Sequence, residues 1–143
     1  MEKDIIKLVS VNIELAKHLD LVRAFLEKEK PDIACLQEAY KIDLKEFAKE
    51  FELEAVFGQM GLIGRVEYTK PPFFPYGVGI LSALPIQDVQ RRYYSGNEEI
   101  AKTRVFQGSS NEDAHPLLLA SIQKGNANFT IGTTHFTWSS GGT

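Results

Sequence analysis

The spacing of apolar residues in the first forty positions predicts a βαβ unit. Residues 5–13 read IIKLVSVNI, which is apolar on both faces for part of its length, as in a buried strand. Apolar residues then recur at intervals of three and four, which predicts a helix that Pro31 ends (Leu15, Leu19, Val22, Phe25 and Leu26). Residues 32–37, DIACLQ, predict a second short strand. Such a unit is expected to be right-handed, with parallel strands.

The next segment repeats the alternation of helix and strand. Leu44, Phe47, Ala48 and Phe51 predict a second helix, and Asp43 near its start suits the helix dipole. Residues 54–60 predict a third strand. Residues 61–76 contain two glycines and three prolines and predict a long loop, a length at which loops are usually functional or mobile.

The remaining pattern predicts antiparallel strands. Strands are expected at 77–82 and 89–94, a turn at 111–113, and a hairpin of 116–123 with 128–135 across residues 124–127. The predicted fold class is therefore α/β, with a βαβαβ order followed by antiparallel hairpins in a single domain of residues 1–143. No glycine-rich loop follows the first strand, which argues against a dinucleotide-binding fold.

The amino-acid composition excludes only a few classes of protein. Apolar residues make up 43% and charged residues 24% of the chain, as in ordinary globular domains. The net charge of −3 does not indicate a long nucleic-acid footprint, which usually requires many basic contacts. No apolar run is long enough to span a bilayer, and Cys35 is the lone cysteine. A reducing, cytoplasmic location is therefore expected.

Three polar residues lie at or near predicted strand ends: Asn12, Glu38 and His135. Parallel neighbouring strands would bring Asn12 and Glu38 to the same edge of a sheet, where sites of layered α/β folds collect. A carboxylate there is a suitable ligand for Mg²⁺, an amide can orient it, and a histidine can hold a phosphoryl oxygen or transfer a proton.

Each of the three residues also has a purely structural interpretation. Glu38 is equally consistent with a solvated residue at a strand end, and Asn12 with a turn residue that closes the first connection. His135 is equally consistent with a hydrogen-bonded structural residue. Phe73–Tyr76 is interpreted either as an apolar substrate wall or as an anchor that fixes the long loop to the core.

Five segments, in order, resemble motifs of the endonuclease/exonuclease/phosphatase family: KLVSVNIE, PDIACLQE, YGVGILSALPI, HPLLLASI and FTIGTTHF. The resemblance implies a four-layer αββα sandwich and a hydrolase that acts on phosphodiesters or phosphomonoesters with water activated next to Mg²⁺ or Mn²⁺. It implies that Glu38 is the metal-binding glutamate, with Asn12 in the same metal site, and that His135 lies close to the scissile phosphate. Relatives often have an arginine just ahead of the strand that begins HPLLLA in this chain.

The resemblance also implies an incomplete domain. Family members continue with Asp-x-Asn and Ser-Asp-His motifs, whereas this chain ends at Thr143, and neither His18 nor His115 replaces the terminal histidine. The chain is therefore expected to be a truncated amino-terminal half that is inactive alone. Its expected partners are a phosphoester substrate and the missing half, or a second copy bound through a sheet face left uncovered at Leu117–Leu119 and Ile131. A nuclease of nucleic-acid ends or sites and a non-catalytic binding module are the alternatives.

Overall fold

The computed structural model describes residues 5–109 and 112–136. Within them lie seven strands and three helices: β1 (Leu8–Asn12), α1 (Leu19–Glu29), β2 (Ile33–Tyr40), α2 (Lys41–Glu50), β3 (Glu54–Gly64), β4 (Phe73–Ser82), β5 (Ile86–Ser95), α3 (Glu98–Thr103), β6 (His115–Lys124) and β7 (Ala127–Thr133). The α/β class and the βαβαβ order are confirmed. The turn predicted at 111–113 begins outside the described residues. No helix in the described ranges has the length and apolarity that crossing a membrane requires.

The first sheet has the strand order β1-β2-β4-β3. Strands β1 and β2 are parallel, with Asn12 opposite Gln37, and this confirms the predicted βαβ unit. Strand β4 runs antiparallel to both β2 and β3. The two strands β3 and β4 remain paired as far as Gly64 and Phe73, so the long loop predicted at 61–76 is wrong and spans only 65–72. Pro75 lies within this ladder, opposite Leu62, despite being a residue that usually interrupts strands.

Two helices cover one face of the first sheet. Val22 and Leu26 of α1 and Leu44 and Phe47 of α2 are buried in one apolar cluster with residues of β2. Helix α2 packs very closely on β4. A Cβ atom added at Gly79 of β4 would lie only 2.6 Å from a methyl group of Leu44 on α2, so this position has room only for glycine. Helix α1 begins at Leu19, so the prediction that included Leu15 is wrong there.

A short third helix was not predicted. The Asn97 side chain accepts a hydrogen bond from the Ile100 backbone amide at 2.9 Å, which caps α3 at its amino terminus. The helix has six residues and packs against β3. It is too short to show a helical period of apolar residues, which explains why sequence patterning missed it.

The second sheet, β5-β6-β7, is antiparallel and packs on the other face of the first sheet. Leu118, Ala120 and Ile122 of β6 lie in one buried cluster with Ile33 of β2 and Ile80 of β4. The expectation of an uncovered inward sheet face is therefore wrong, since this chain supplies both sheets, and Ile131 also packs against the cluster. Helices, first sheet and second sheet form three of the layers expected of an αββα sandwich.

Candidate active site

Glu38 lies on an irregular part of β2 rather than at a simple strand end. The pairing of β2 with β4 shifts register between Leu36 and Ala39, and Glu38 has a φ of 51°. This left-handed conformation costs a non-glycine residue about 1–2 kcal/mol. A bulge re-aims a side chain relative to a regular strand, and such bulges are frequent next to active sites.

His135 contacts Glu38 directly, across 97 positions of sequence. The Nε2 atom of His135 and the Oε1 atom of Glu38 are 3.0 Å apart, and the side chains are 17% and 31% exposed. The hydrogen bond with His135 is the main cause that lowers the pKa of Glu38, although burial opposes it. Because an ionised carboxylate only accepts hydrogen bonds, the proton of this pair lies on Nε2.

Asn12 both closes a turn and lies beside Glu38. Its Oδ1 atom accepts a hydrogen bond from the Glu14 backbone amide at 3.0 Å, which closes the turn after β1. Its side chain also lies close to Glu38 and further lowers the pKa of that carboxyl. The structure thus brings Asn12, Glu38 and His135 together at one edge of the first sheet.

The backbone of His135 is held by residues that sequence patterning did not identify for this role. The carbonyl oxygen of His135 accepts hydrogen bonds from the Tyr94 hydroxyl and from Nδ1 of His115, both at 2.9 Å. The Thr134 hydroxyl donates to the carbonyl of Pro116 at 2.8 Å. His115 is fully buried, and its contact helps to hold the segment that carries His135.

Two buried polar atoms in the described part of the chain have no hydrogen-bond partner, and both lie near this edge. One is Nδ1 of His135. With the proton on Nε2, the lone pair of Nδ1 faces no hydrogen-bond donor among the described residues. The other is Oδ1 of Asp113, whose Oδ2 accepts a hydrogen bond from Tyr76. Burial raises the pKa of Asp113 to about 7.

A cavity of about 460 Å³ opens beside Glu38 and His135. Its walls come from six stretches of the chain, and this explains why patterning did not predict it. Tyr76 lines the cavity, as expected of a substrate wall. Phe74 instead packs edge-on against Tyr40, as expected of an anchor to the core. The stretch 73–76 therefore fits both interpretations in part. The remaining apolar lining residues are Leu15, Met60, Ile63, Tyr68 and Phe106.

The oxygen ligands at this edge fit a magnesium ion better than a transition metal. No group of three or more His, Cys, Asp and Glu side chains within residues 5–109 and 112–136 is arranged to hold a metal. Magnesium, however, is usually bound through one or two carboxylates together with water and substrate oxygens. The Glu38 carboxylate and the Asn12 amide supply oxygens of that kind.

Comparison with known proteins assigns the chain to a family. Residues 9–141 match the profile of the Endonuclease/Exonuclease/phosphatase family. The chain belongs to this family. The match includes the β1 and β2 segments that carry Asn12 and Glu38 and the segment that carries His135. A search of curated protein sequences gave no match.

Solved structures of the endonuclease/exonuclease/phosphatase family share the fold. A family protein from Leptotrichia buccalis C-1013-b is 12% identical with a TM-score of 0.65, and the alignment covers 93% of this chain and 54% of that chain. The enzyme from Bacteroides vulgatus is 14% identical with a TM-score of 0.62, covering 92% and 52%. TDP2 from D. rerio, solved with a single-strand DNA product, is 12% identical with a TM-score of 0.62, covering 94% and 47%. The chain spans about half the length of these relatives.

Proposed function

We propose that this chain is part of a divalent-metal-dependent phosphoesterase that hydrolyses a phosphodiester or phosphomonoester. The observation that supports this proposal most strongly is the Glu38 carboxylate, which is partly buried at a sheet edge with a pKa lowered by His135 and Asn12. A carboxylate in that environment is ionised at neutral pH, which is the state that a cation requires. Glu38 and Asn12 are the proposed ligands of Mg²⁺ or Mn²⁺.

Each of the three residues has a distinct role in the proposed reaction. Glu38 supplies negative charge, and Asn12 lies beside it and can orient that carboxylate. The Nε2 proton of His135 is donated to Glu38 in the free protein; a cation that takes up the charge of Glu38 would release this proton for a hydrogen bond to a phosphoryl oxygen as negative charge develops there. A bound divalent cation would neutralise phosphate charge and lower the pKa of the attacking water.

Metal binding by the chain itself is the direct test. Mn²⁺ titrated into the chain should broaden the NMR resonances of the His135 ring, because a paramagnetic ion at Glu38 would lie close to it. Glu38→Gln should weaken Mn²⁺ affinity at least about tenfold, since one carboxylate carries most of the site's charge. No broadening at His135, or broadening that Glu38→Gln leaves unchanged, would refute the proposed metal site.

A matched control uses a glutamate at the opposite end of the first sheet. Glu29 pairs with Lys7, the residue that precedes β1, at 2.8 Å. Glu29→Gln removes the same charge from the chain and should leave the broadening of His135 unchanged. This comparison separates a site at Glu38 from general attraction of Mn²⁺ to an acidic protein.

A nuclease is the second candidate function within the family. TDP2 from D. rerio, whose structure contains a single-strand DNA product, shares the fold of this chain. A nucleic-acid substrate for this protein is therefore compatible with the family, although the net charge of −3 argues against a long backbone footprint. Titration of a short single-stranded oligonucleotide with Mg²⁺ should perturb resonances near Glu38 if this candidate is correct.

A further inference from the structure

The cavity beside Glu38 is apolar inside and polar at its mouth. Its volume of about 460 Å³ lies within the range of small-molecule sites. Buried or partly buried apolar side chains form the walls, while Glu14, Lys17, Glu38 and His135 contribute the charged and polar groups. A ligand that fits this distribution has one charged end and one apolar end.

One of the two tyrosines that line the cavity, Tyr76, contributes its ring and not its hydroxyl. Tyr76 is 3% exposed, and its hydroxyl donates to the buried carboxyl of Asp113. That hydroxyl is therefore already used and is not available to a ligand. Met60 and Ile63, which are 0% and 2% exposed, complete a wall without polar side-chain groups.

An aromatic pair forms another wall. The rings of Tyr68 and Phe106 lie 6.3 Å apart in an edge-to-face arrangement, and both line the cavity. Aromatic rings at the surface of a site favour flat, polarisable groups, which pack against ring faces and edges. A flexible aliphatic chain gains less from such walls.

Backbone hydrogen bonds hold these walls in place. The Leu15 amide donates to the carbonyl of Glu38 at 2.7 Å, the Gly64 amide to that of Tyr68 at 2.9 Å, and the Phe106 amide to that of Leu62 at 2.8 Å. The walls are therefore attached to β2, the strand that carries Glu38, and to β3. A preformed pocket loses less entropy when a ligand binds.

We propose that this cavity binds the planar aromatic group of a phosphoester substrate, a nucleobase or a simple aryl ring, while the phosphate lies at Glu38 and His135. The inference rests on the proposed function, because the phosphate position is the one assigned there. It adds a specificity-determining surface, made mainly by the partly exposed rings of Tyr68 and Phe106, to the proposed reaction centre.

The test compares four phosphate esters that differ in their organic part. Phenyl phosphate, AMP, butyl phosphate and glycerol 3-phosphate are titrated into the chain with Mg²⁺, and dissociation constants are measured by protein NMR. Phenyl phosphate or AMP should bind about fivefold or more tightly than butyl or glycerol phosphate, since stacking on an aromatic wall contributes at least that much. AMP and phenyl phosphate separate a nucleobase from a simple aryl ring. The inference is overturned if neither phenyl phosphate nor AMP binds more tightly than butyl phosphate.

Variants separate this inference from the proposed function. Phe106→Leu keeps apolar bulk but removes the ring, so it should weaken only the aromatic esters, and Phe106→Ala should do so more strongly. Phe25→Ala, at a 39% exposed phenylalanine on α1 that is not part of the cavity, should change nothing. Glu38→Gln should weaken all four esters. An unchanged aromatic preference in Phe106→Leu and Phe106→Ala refutes the inference alone, whereas unchanged binding of all four esters in Glu38→Gln refutes the proposed function.

Discussion

The two ends of the first sheet differ in how their charged and polar side chains are paired. At the end where β1 begins, the Lys7 ammonium lies 2.8 Å from Glu29, and the Lys124 ammonium lies 3.2 Å from Asp32. The Lys7 amide also donates to Asp32 at 2.8 Å. These two acids each have a basic partner, and the Lys7–Glu29 pair is the more exposed of the two. Such pairs contribute little to stability.

At the opposite end, backbone strain and unpaired buried groups accumulate. Glu14, Leu15 and Glu38 have φ values of 50°, 61° and 51°, which are costly for residues other than glycine. Within residues 5–109 and 112–136, the two buried side-chain polar atoms without a hydrogen-bond partner, in His135 and Asp113, lie near this end. The positive φ values of Lys30 and Glu52 have an ordinary cause, because each residue lies at the carboxyl end of a helix, whereas Glu38 lies within a strand.

The difference in backbone strain and in hydrogen bonding between the two ends indicates which end carries a functional site. Strained conformations and unsatisfied buried groups persist only where the surrounding structure enforces them, and they concentrate at functional sites. The end of the sheet with Glu38 has this character, and the end with Glu29 does not. The proposed site therefore has support from the backbone as well as from the identity of its side chains.

The largest expected effect is the loss of stability when the basic partner of an ion pair is removed, which should differ between the two ends of the sheet. Arg65 donates two hydrogen bonds to Asp43, at 2.9 and 2.7 Å, and its guanidinium lies 4.8 Å from the centre of the Tyr40 ring. Asp43 is 3% exposed, so Arg65→Ala would leave a buried carboxylate without its partner. We expect a loss of about 3 kcal/mol in the free energy of unfolding, measured by urea denaturation.

The matched substitution at the other end is Lys7→Ala. It removes one partner of an ion pair in which the Lys7 side chain is 51% exposed. The expected loss is below about 1 kcal/mol, because water replaces the lysine around Glu29. Equal losses for Arg65→Ala and Lys7→Ala would remove the energetic difference between the two ends.

A smaller effect tests the strain at Glu38. Glu38→Gly should be about 1 kcal/mol more stable than Glu38→Ala, because glycine adopts a φ of 51° without a steric cost. The neighbouring residue Gln37, whose backbone φ is not positive, should behave in the opposite way, with glycine about 0.5–1 kcal/mol less stable than alanine. Thermal or urea unfolding of the four variants measures both differences. The same sign at the two positions would contradict stored strain at Glu38.

Local patterns in the sequence were sufficient for most of the fold. The βαβ unit is encoded within short windows, because the periods of helix and strand differ. Leu15 shows the limit of this reasoning. Its spacing from Leu19 fits a helix, yet its amide bonds to the Glu38 carbonyl and its backbone is left-handed. A tertiary contact therefore overrides a helical pattern that is otherwise correct.

The site was only partly predictable, for a related reason. Parallel strands place Asn12 and Glu38 at one edge by simple geometry, and His135 was added by its position near a strand end and by resemblance. The cavity, by contrast, depends on residues from several distant segments. Asp113 stands in a polar stretch that predicts a turn, and nothing local indicates that it is buried against Tyr76. Long-range packing of this kind leaves no periodic signal.

The smallest expected effect concerns the titration of two glutamates. The pKa of Glu29 is lowered chiefly by its hydrogen bond with Lys7, and that of Glu38 chiefly by its hydrogen bond with His135. Both carboxyls therefore stabilise the fold above their unfolded pKa of about 4.3, and this contribution is lost as the pH falls through the folded value. The two shifts have the same sign but should respond differently to salt.

Carboxyl ¹³C NMR titrations at low salt and at 1 M NaCl measure this difference. The shift of Glu29 should largely disappear at 1 M, where the screening length is about 3 Å, because its pair is open to solvent. The shift of Glu38 should persist, since its partners are hydrogen-bonded within a partly buried site. Loss of both shifts would mean that the Glu38 environment is as well solvated as the opposite end. The carboxylate would then lack the protected setting that a metal site at this edge requires.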